Sequence, residues 1–130
     1  MLQLAAWIEK IYYNIQMKSL SYIRFLNMTN AIDYIKSVDY LDSIEESLLN
    51  YIALSQIEGH GFLVMDLIAL EHLGSRATLH KRIKSLVVKG YIQLITDTQD
   101  ERKKNVALTS KANRYFEKLS KLIDNAAKGN

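Results

Sequence analysis

The sequence contains no cysteine and no proline. Without cysteine there are no disulfides, no thiolate metal sites and no thiol redox sensing. Without proline nothing forces a helix to kink, which suits a largely helical chain. No uncharged run reaches membrane-spanning length. The apolar N-terminus meets Glu9 and Lys10 early and lacks a basic leader, so no signal peptide and a cytoplasmic location are expected. A phosphate-binding glycine loop, Gly-x-Ser-x-Gly and His-Glu-x-x-His are all missing too. His60, His72 and His80 have no ligand-like spacing, and a metal site joining them to Glu58, Asp66 or Glu71 is the weaker reading. Glu45 and Glu46 suit a helix start better than an acid/base pair. These gaps argue against an enzyme and imply neither metal nor cofactor.

What is present is ordinary in amount and uneven in placement. Apolar residues make up 48% and charged residues 24% of 130 residues, which suits one globular domain over 1–130. Residues 1–74 hold 4 Lys/Arg against 9 Asp/Glu, a net of −5, whereas residues 75–130 hold 13 against 5, a net of +8. Such a gradient localises an electrostatic footprint for a polyanion. The plainer alternative is a merely basic C-terminal half.

Residues 2–26 read as one long helix, with Leu4, Ile8, Ile11, Ile15, Tyr22 and Leu26 in a stripe. Ala5, Trp7, Tyr12, Tyr13 and Ile23 lie off that stripe, so the helix needs burial on more than one side. In so short a chain the natural second cover is another subunit, which predicts a homodimer; a core helix within a monomer is the alternative. Trp7, Tyr12 and Tyr13 are also candidates for lining a pocket for a small aromatic effector, unless they are simply core. A short helix is expected over 30–37. Asp42, Ser43, Glu45 and Glu46 then give an N-terminal capping signature of the Ser-x-x-Glu kind, followed by Ile44, Leu48, Tyr51, Ile52 and Leu54 as an inward face. Gly59 and Gly61 end that helix, with His60 as a loop residue between them.

Residues 64–71 read as a compact helix in which Ala69 permits close approach of a neighbour, and His72, Leu73 and Gly74 turn the chain. The next stretch, SRATLHKRIKSLVVKG over 75–90, puts Leu79, Ile83, Leu86 and Val87 on one helical stripe. Ser75 is placed to cap it and Gly90 to stop it. Arg76, Thr78, His80, Lys81, Lys84 and Ser85 fall largely on the remaining arc, a donor-rich basic face suited to a duplex major groove. A solvated surface helix would look similar. Strands are expected over 91–95 and 105–109, joined by TDTQDERKK over 96–104. Arg102, Lys103 and Lys104 on that hairpin suit the phosphate backbone and the narrow minor groove, and Asp100 can orient the Arg102 guanidinium. A charged tip made for solubility is the alternative. The last helix, 110–127, carries Ala112, Tyr115, Phe116, Leu119, Leu122, Ile123 and Ala126 on one face.

Residues 73–113 resemble the winged helix-turn-helix of MarR-family transcriptional regulators. The resemblance is carried by Ser75-x-x-Thr78, Leu86, Lys89-Gly90-Tyr91-Ile92, Asp100-x-Arg102 and Leu108-Thr109-x-Lys111 at their combined spacing. It implies an obligate homodimer with interlocked terminal helices that binds a pseudo-palindromic operator in double-stranded DNA and usually represses transcription. Residue by residue it points to Ser75, Ala77, Thr78, His80 and Lys81 near bases or adjacent phosphates, and to Asp100 and Arg102 at the wing. Arg76 stands where the family often has proline, adding a possible phosphate contact. The expected class is mainly α with a small β-hairpin wing. Helices within 1–28 and 110–128 would serve dimerisation, around a winged helix-turn-helix core over 42–109. A winged-helix module that binds an acidic protein partner is the alternative function.

Overall fold

The computed structural model describes residues 2–59 and 61–128, in two units that are each internally packed: Met1–Asp39 with Glu117–Asn130, and Tyr40–Phe116. The second unit holds α3 (Ser43–Ile57), β1 (Phe62–Leu63), α4 (Val64–Ile68), α5 (Arg76–Val88), β2 (Ile92–Thr96), β3 (Lys104–Leu108) and the start of α6 (Ser110–Lys128). The three strands form an antiparallel sheet in the order β1-β3-β2, with Phe62 opposite Val106 and Ile92 opposite Leu108. Two of these strands are the expected hairpin. The third, β1, was not legible, because two residues are too few to show a period-two pattern.

The core of this unit is aliphatic and aromatic: Leu48, Leu49, Ile52, Leu67, Leu79, Ile83, Leu86, Tyr91, Ile92, Val106, Ala112 and Tyr115 are all buried. Each such large side chain contributes roughly 1.5–3 kcal/mol of transfer free energy, far above the few tenths from a surface charge pair. The apolar stripe of α5 therefore decides which face turns inward, and its cations are left to the other side. Val87 is less involved than the stripe suggested, at 38% exposure. Leu54 also departs from expectation: α3 buries Leu48, Leu49, Ile52 and Ser55 and leaves Leu54 64% exposed.

Local chemistry sets the ends. Asp42 caps α3, accepting from the Glu45 N–H at 2.8 Å, while the Glu45 carboxylate accepts from the Asp42 N–H at 3.2 Å. The reciprocal box is thus Asp42-x-x-Glu45, one residue earlier than the Ser43-x-x-Glu46 spacing in the sequence. Helix α5 stops at Gly90, whose φ is +85°. The Gly90 N–H donates to Val87 O and the Tyr91 N–H to Leu86 O, each at 3.0 Å, which is the left-handed closure that glycine makes cheap. Helix α4 is shorter than expected, and Ala69 is its exposed C-cap rather than a packing contact. His60, read as a loop residue, lies outside the described residues.

The other unit contains α1 (Leu2–Ser19), α2 (Ser21–Val38) and the end of α6. The single helix expected over 2–26 is interrupted at Leu20, which is extended at φ −73° and ψ 130°. Arg24 sustains the break: its guanidinium donates to the Ser19 carbonyl at the end of α1, and its Nε donates to Ala126 O on α6 at 2.9 Å. The helix expected over 30–37 is the continuation of α2, since no glycine or proline stands between 21 and 38 to end it. No helix among the described residues is long and apolar enough to cross a membrane.

Candidate nucleic-acid interface

Ser75 starts α5 by accepting from the Thr78 N–H at 3.2 Å, and its hydroxyl donates to Thr78 Oγ1 at 2.9 Å. The pair fixes the first turn and leaves the Thr78 O–H as a donor. Arg76, Ala77, His80, Lys81 and Lys84 are exposed along the same helix, and Thr78 is half-buried. The first turn of α5 carries no acidic residue.

The remaining cations near α5 are engaged. Arg82 Nε lies 2.6 Å from Asp42 Oδ2, an ion pair not aligned as a hydrogen bond. Lys89 Nζ lies 2.8 Å from Glu45 Oε1 and also donates to the Tyr40 carbonyl. The helix thereby sorts its basic residues: Arg82 and Lys89 turn back onto α3, whereas Arg76, Lys81 and Lys84 stand in solvent. Periodicity marks Arg76, Lys81 and Lys84 for this face, but it also marks Ser85, which turns back and donates to Glu45 Oε2 at 2.9 Å. The anchoring partners carry no sequence signal, because each pair is separated by about forty residues.

The wing is built by two aspartates. The Asp97 carboxylate accepts from the Asp100 N–H at 3.1 Å and faces the Asn105 amide, while Asp97 N–H and Lys103 O close the loop at 3.0 Å. Asp100 Oδ1 accepts from both the Arg102 N–H at 3.0 Å and Arg102 Nε at 3.2 Å. Bonds from the Arg102 backbone and then its guanidinium, aided by the charge of Lys103, hold the Asp100 carboxyl below the usual aspartate value. The Arg102 side chain remains 91% exposed, so it is oriented without being buried. Lys103 is exposed in the loop, but Lys104 is not at the tip. It sits on β3, with Nζ donating to Thr96 Oγ1 at 2.7 Å across the strand pair. Asp97 was missed as an organiser; its signal was the Asp-x-x-Asp spacing that favours a side-chain-to-backbone turn.

Tyr12 and Tyr13 line an open cleft of about 740 Å³ with Glu9, Lys10, Gln16 and Leu20. Gln16 donates to the Tyr12 hydroxyl at 2.7 Å. That volume is in the range of ligand sites. Its walls come from α1 and Leu20 alone, so it is a surface rather than a chamber, and Trp7 is not among its lining residues. Among the described residues no group of His, Asp and Glu is arranged to hold a metal.

No protein-family model and no curated protein matches the sequence. Solved structures do match. MepR of S. aureus in complex with DNA is 19% identical, with a TM-score of 0.62 over 95% of this chain and 80% of that one. Reduced AbfR bound to DNA is 16% identical, with a TM-score of 0.54 over 95% and 81%. A mutant MarR from E. coli is 16% identical, with a TM-score of 0.56 over 79% and 72%. At such identities the likeness is one of fold, and the winged helix-turn-helix expected from the sequence is the fold found.

Proposed function

We propose that the protein is a homodimeric, sequence-specific regulator of transcription, a repressor in type, that binds double-stranded DNA in the cytoplasm. Each subunit places α5 in a major groove of a pseudo-palindromic operator and the wing over 96–104 in the flanking minor groove. The observation that carries this reading is the sorting of cations on α5, which leaves Arg76, Lys81 and Lys84 exposed and without an acidic partner among the described residues. Ser75, Ala77, Thr78 and His80 share the base-facing turns with them. Arg102 reaches the minor groove in the orientation set by Asp100, with Lys103 and Lys104 on the adjoining phosphates. A narrow minor groove concentrates negative potential, which favours a guanidinium held ready at its mouth. MepR and AbfR, which share the fold, have been solved with DNA. The Tyr12–Tyr13 cleft is the proposed site for a small aromatic effector; Trp7, outside the cleft within one chain, would join it only from a second subunit.

Duplex affinity measured against salt tests the reading. Neutralising Z phosphates gives a slope of log affinity on log salt of about −0.9Z, so two subunits with several contacts each should give a steep line. Footprints should show half-sites roughly 10 base pairs apart. Absence of saturable duplex binding at low salt would overturn the proposal and favour an acidic protein as partner.

A further inference from the structure

We infer that Glu45 is a positioning residue for the DNA-reading face of α5, acting through Ser85 and Lys89. This rests on the reading of α5 proposed above. Glu45 is 2% exposed, and a buried carboxylate survives only when donors surround it. Here Oε2 accepts from the Ser85 hydroxyl at 2.9 Å, and Oε1 accepts from Lys89 Nζ at 2.8 Å and from the Asp42 N–H at 3.2 Å. Ser85 and Lys89 stand one helical turn apart, so one carboxylate grips the C-terminal half of α5 at two points. The same ammonium holds the carbonyl of Tyr40, whose φ of 57° is unusual for a side-chain-bearing residue.

A cap alone needs neither Ser85 nor Lys89. The apolar contacts of Leu79, Ile83 and Leu86 fix which face of α5 is buried but are non-directional, so they tolerate small slides and rotations. Hydrogen bonds to a fixed carboxylate are directional and remove that freedom. Reading base edges demands side chains held within about 0.5 Å, so directional ties on the helix that carries them matter. Arg82 and Asp42 add a second tie one turn nearer the helix start.

The test uses the full chain and a duplex enriched from a random-sequence library by the wild-type protein. Lys89→Met leaves the carboxylate buried without its cation and should weaken binding about tenfold, a size usual for residues that touch no ligand. The salt slope should stay unchanged, because no phosphate contact is lost. Adding Glu45→Gln should recover part of the affinity, since a neutral amide removes the unpaired buried charge and keeps a carbonyl for the Asp42 N–H and a donor for Ser85, while the tie to Lys89 stays lost. A fall of about one unit in the salt slope with no recovery in the double variant would make Lys89 a direct phosphate contact and overturn the inference. So would wild-type affinity in Lys89→Met. Hydrogen exchange of the α5 amides gives a readout independent of DNA. It should quicken in Lys89→Met and recover in part in the double variant; unchanged exchange overturns the clamp. Failure of the wild type to bind any duplex, by contrast, counts against the function and leaves the exchange result to decide the clamp.

Discussion

The two units of this protein treat their apolar residues in opposite ways. Among the described residues, every fully buried large side chain falls between Leu48 and Tyr115, in the winged-helix unit. Helix α2 has no buried residue, and α1 leaves Leu4, Trp7, Ile8, Tyr12, Tyr13 and Ile15 each more than half exposed. One unit has closed a core within a single chain. The other leaves many large apolar and aromatic side chains exposed. The contrast separates two uses of similar residues: in α5 an apolar stripe aims a polar face, whereas in α1 apolar residues on several sides are left exposed, the surface that the proposed dimer would bury.

The comparison breaks most sharply where α1 is given charge. Ile8→Glu with Ile15→Glu puts two carboxylates seven residues apart on the proposed interface. Sedimentation should then find single subunits. Duplex affinity should drop a hundredfold or more, because the second half-site is no longer engaged in cis. A double variant that still sediments as a dimer would move the interface elsewhere. Next in size, Leu86→Ala in the closed core should cost about 2–5 kcal/mol of stability by opening a cavity. Ile57→Ala, at 84% exposure in the same unit, should change stability by no more than about 0.5 kcal/mol. Thermal melts of the two would sink the description of the core if their order reversed.

Much of this division was readable beforehand, and the reasons differ by element. The α5 stripe, its Ser75 cap and its Gly90 stop lie within one segment, so local periodicity and capping rules reach them. The excess of apolar residues in α1 was equally visible. The break at Leu20 was not, because it depends on Arg24 reaching the Ser19 and Ala126 carbonyls, and the second lies about a hundred residues away. Strand β1 exists only because β3 offers Phe62 and Leu63 an edge. Glu45 was legible as a cap; that it also holds Ser85 and Lys89 requires the packed unit. Local grammar thus identified which side chains face solvent, and distant pairing decided which cations remain available.

A smaller effect separates the two arms of the proposed reading head. Base contacts by a helix carry sequence discrimination, while wing contacts to the backbone mostly carry affinity. His80→Ala should therefore alter the preferred operator at one position by about 1–3 kcal/mol, and Arg102→Ala should weaken binding with only a modest loss of sequence discrimination and lower the salt slope by about one. Selection experiments on the two variants would contradict this division if Arg102→Ala changed the preferred bases as strongly as His80→Ala.

The smallest expected effect lies in the wing itself and depends on acid. Asp100 is held below its ordinary value of 3.8 by the Arg102 N–H and guanidinium. A depressed carboxylate contributes its stabilisation above the unfolded value and loses it as pH falls through the folded one. The Asp100–Arg102 contact should therefore be intact from neutral pH down to the ordinary aspartate range and release only below it. Because both side chains reach solvent, the contact orients Arg102 far more than it stabilises the fold. Nuclear magnetic resonance of the Arg102 Nε–H should show a flat signal through the mildly acidic range and a shift only beneath it. Asp100→Asn should abolish that titration while leaving the melting temperature nearly unchanged. A midpoint above 3.8 would mean that the guanidinium is not held by Asp100 in solution, and the wing would then be no more organised than an ordinary charged hairpin tip.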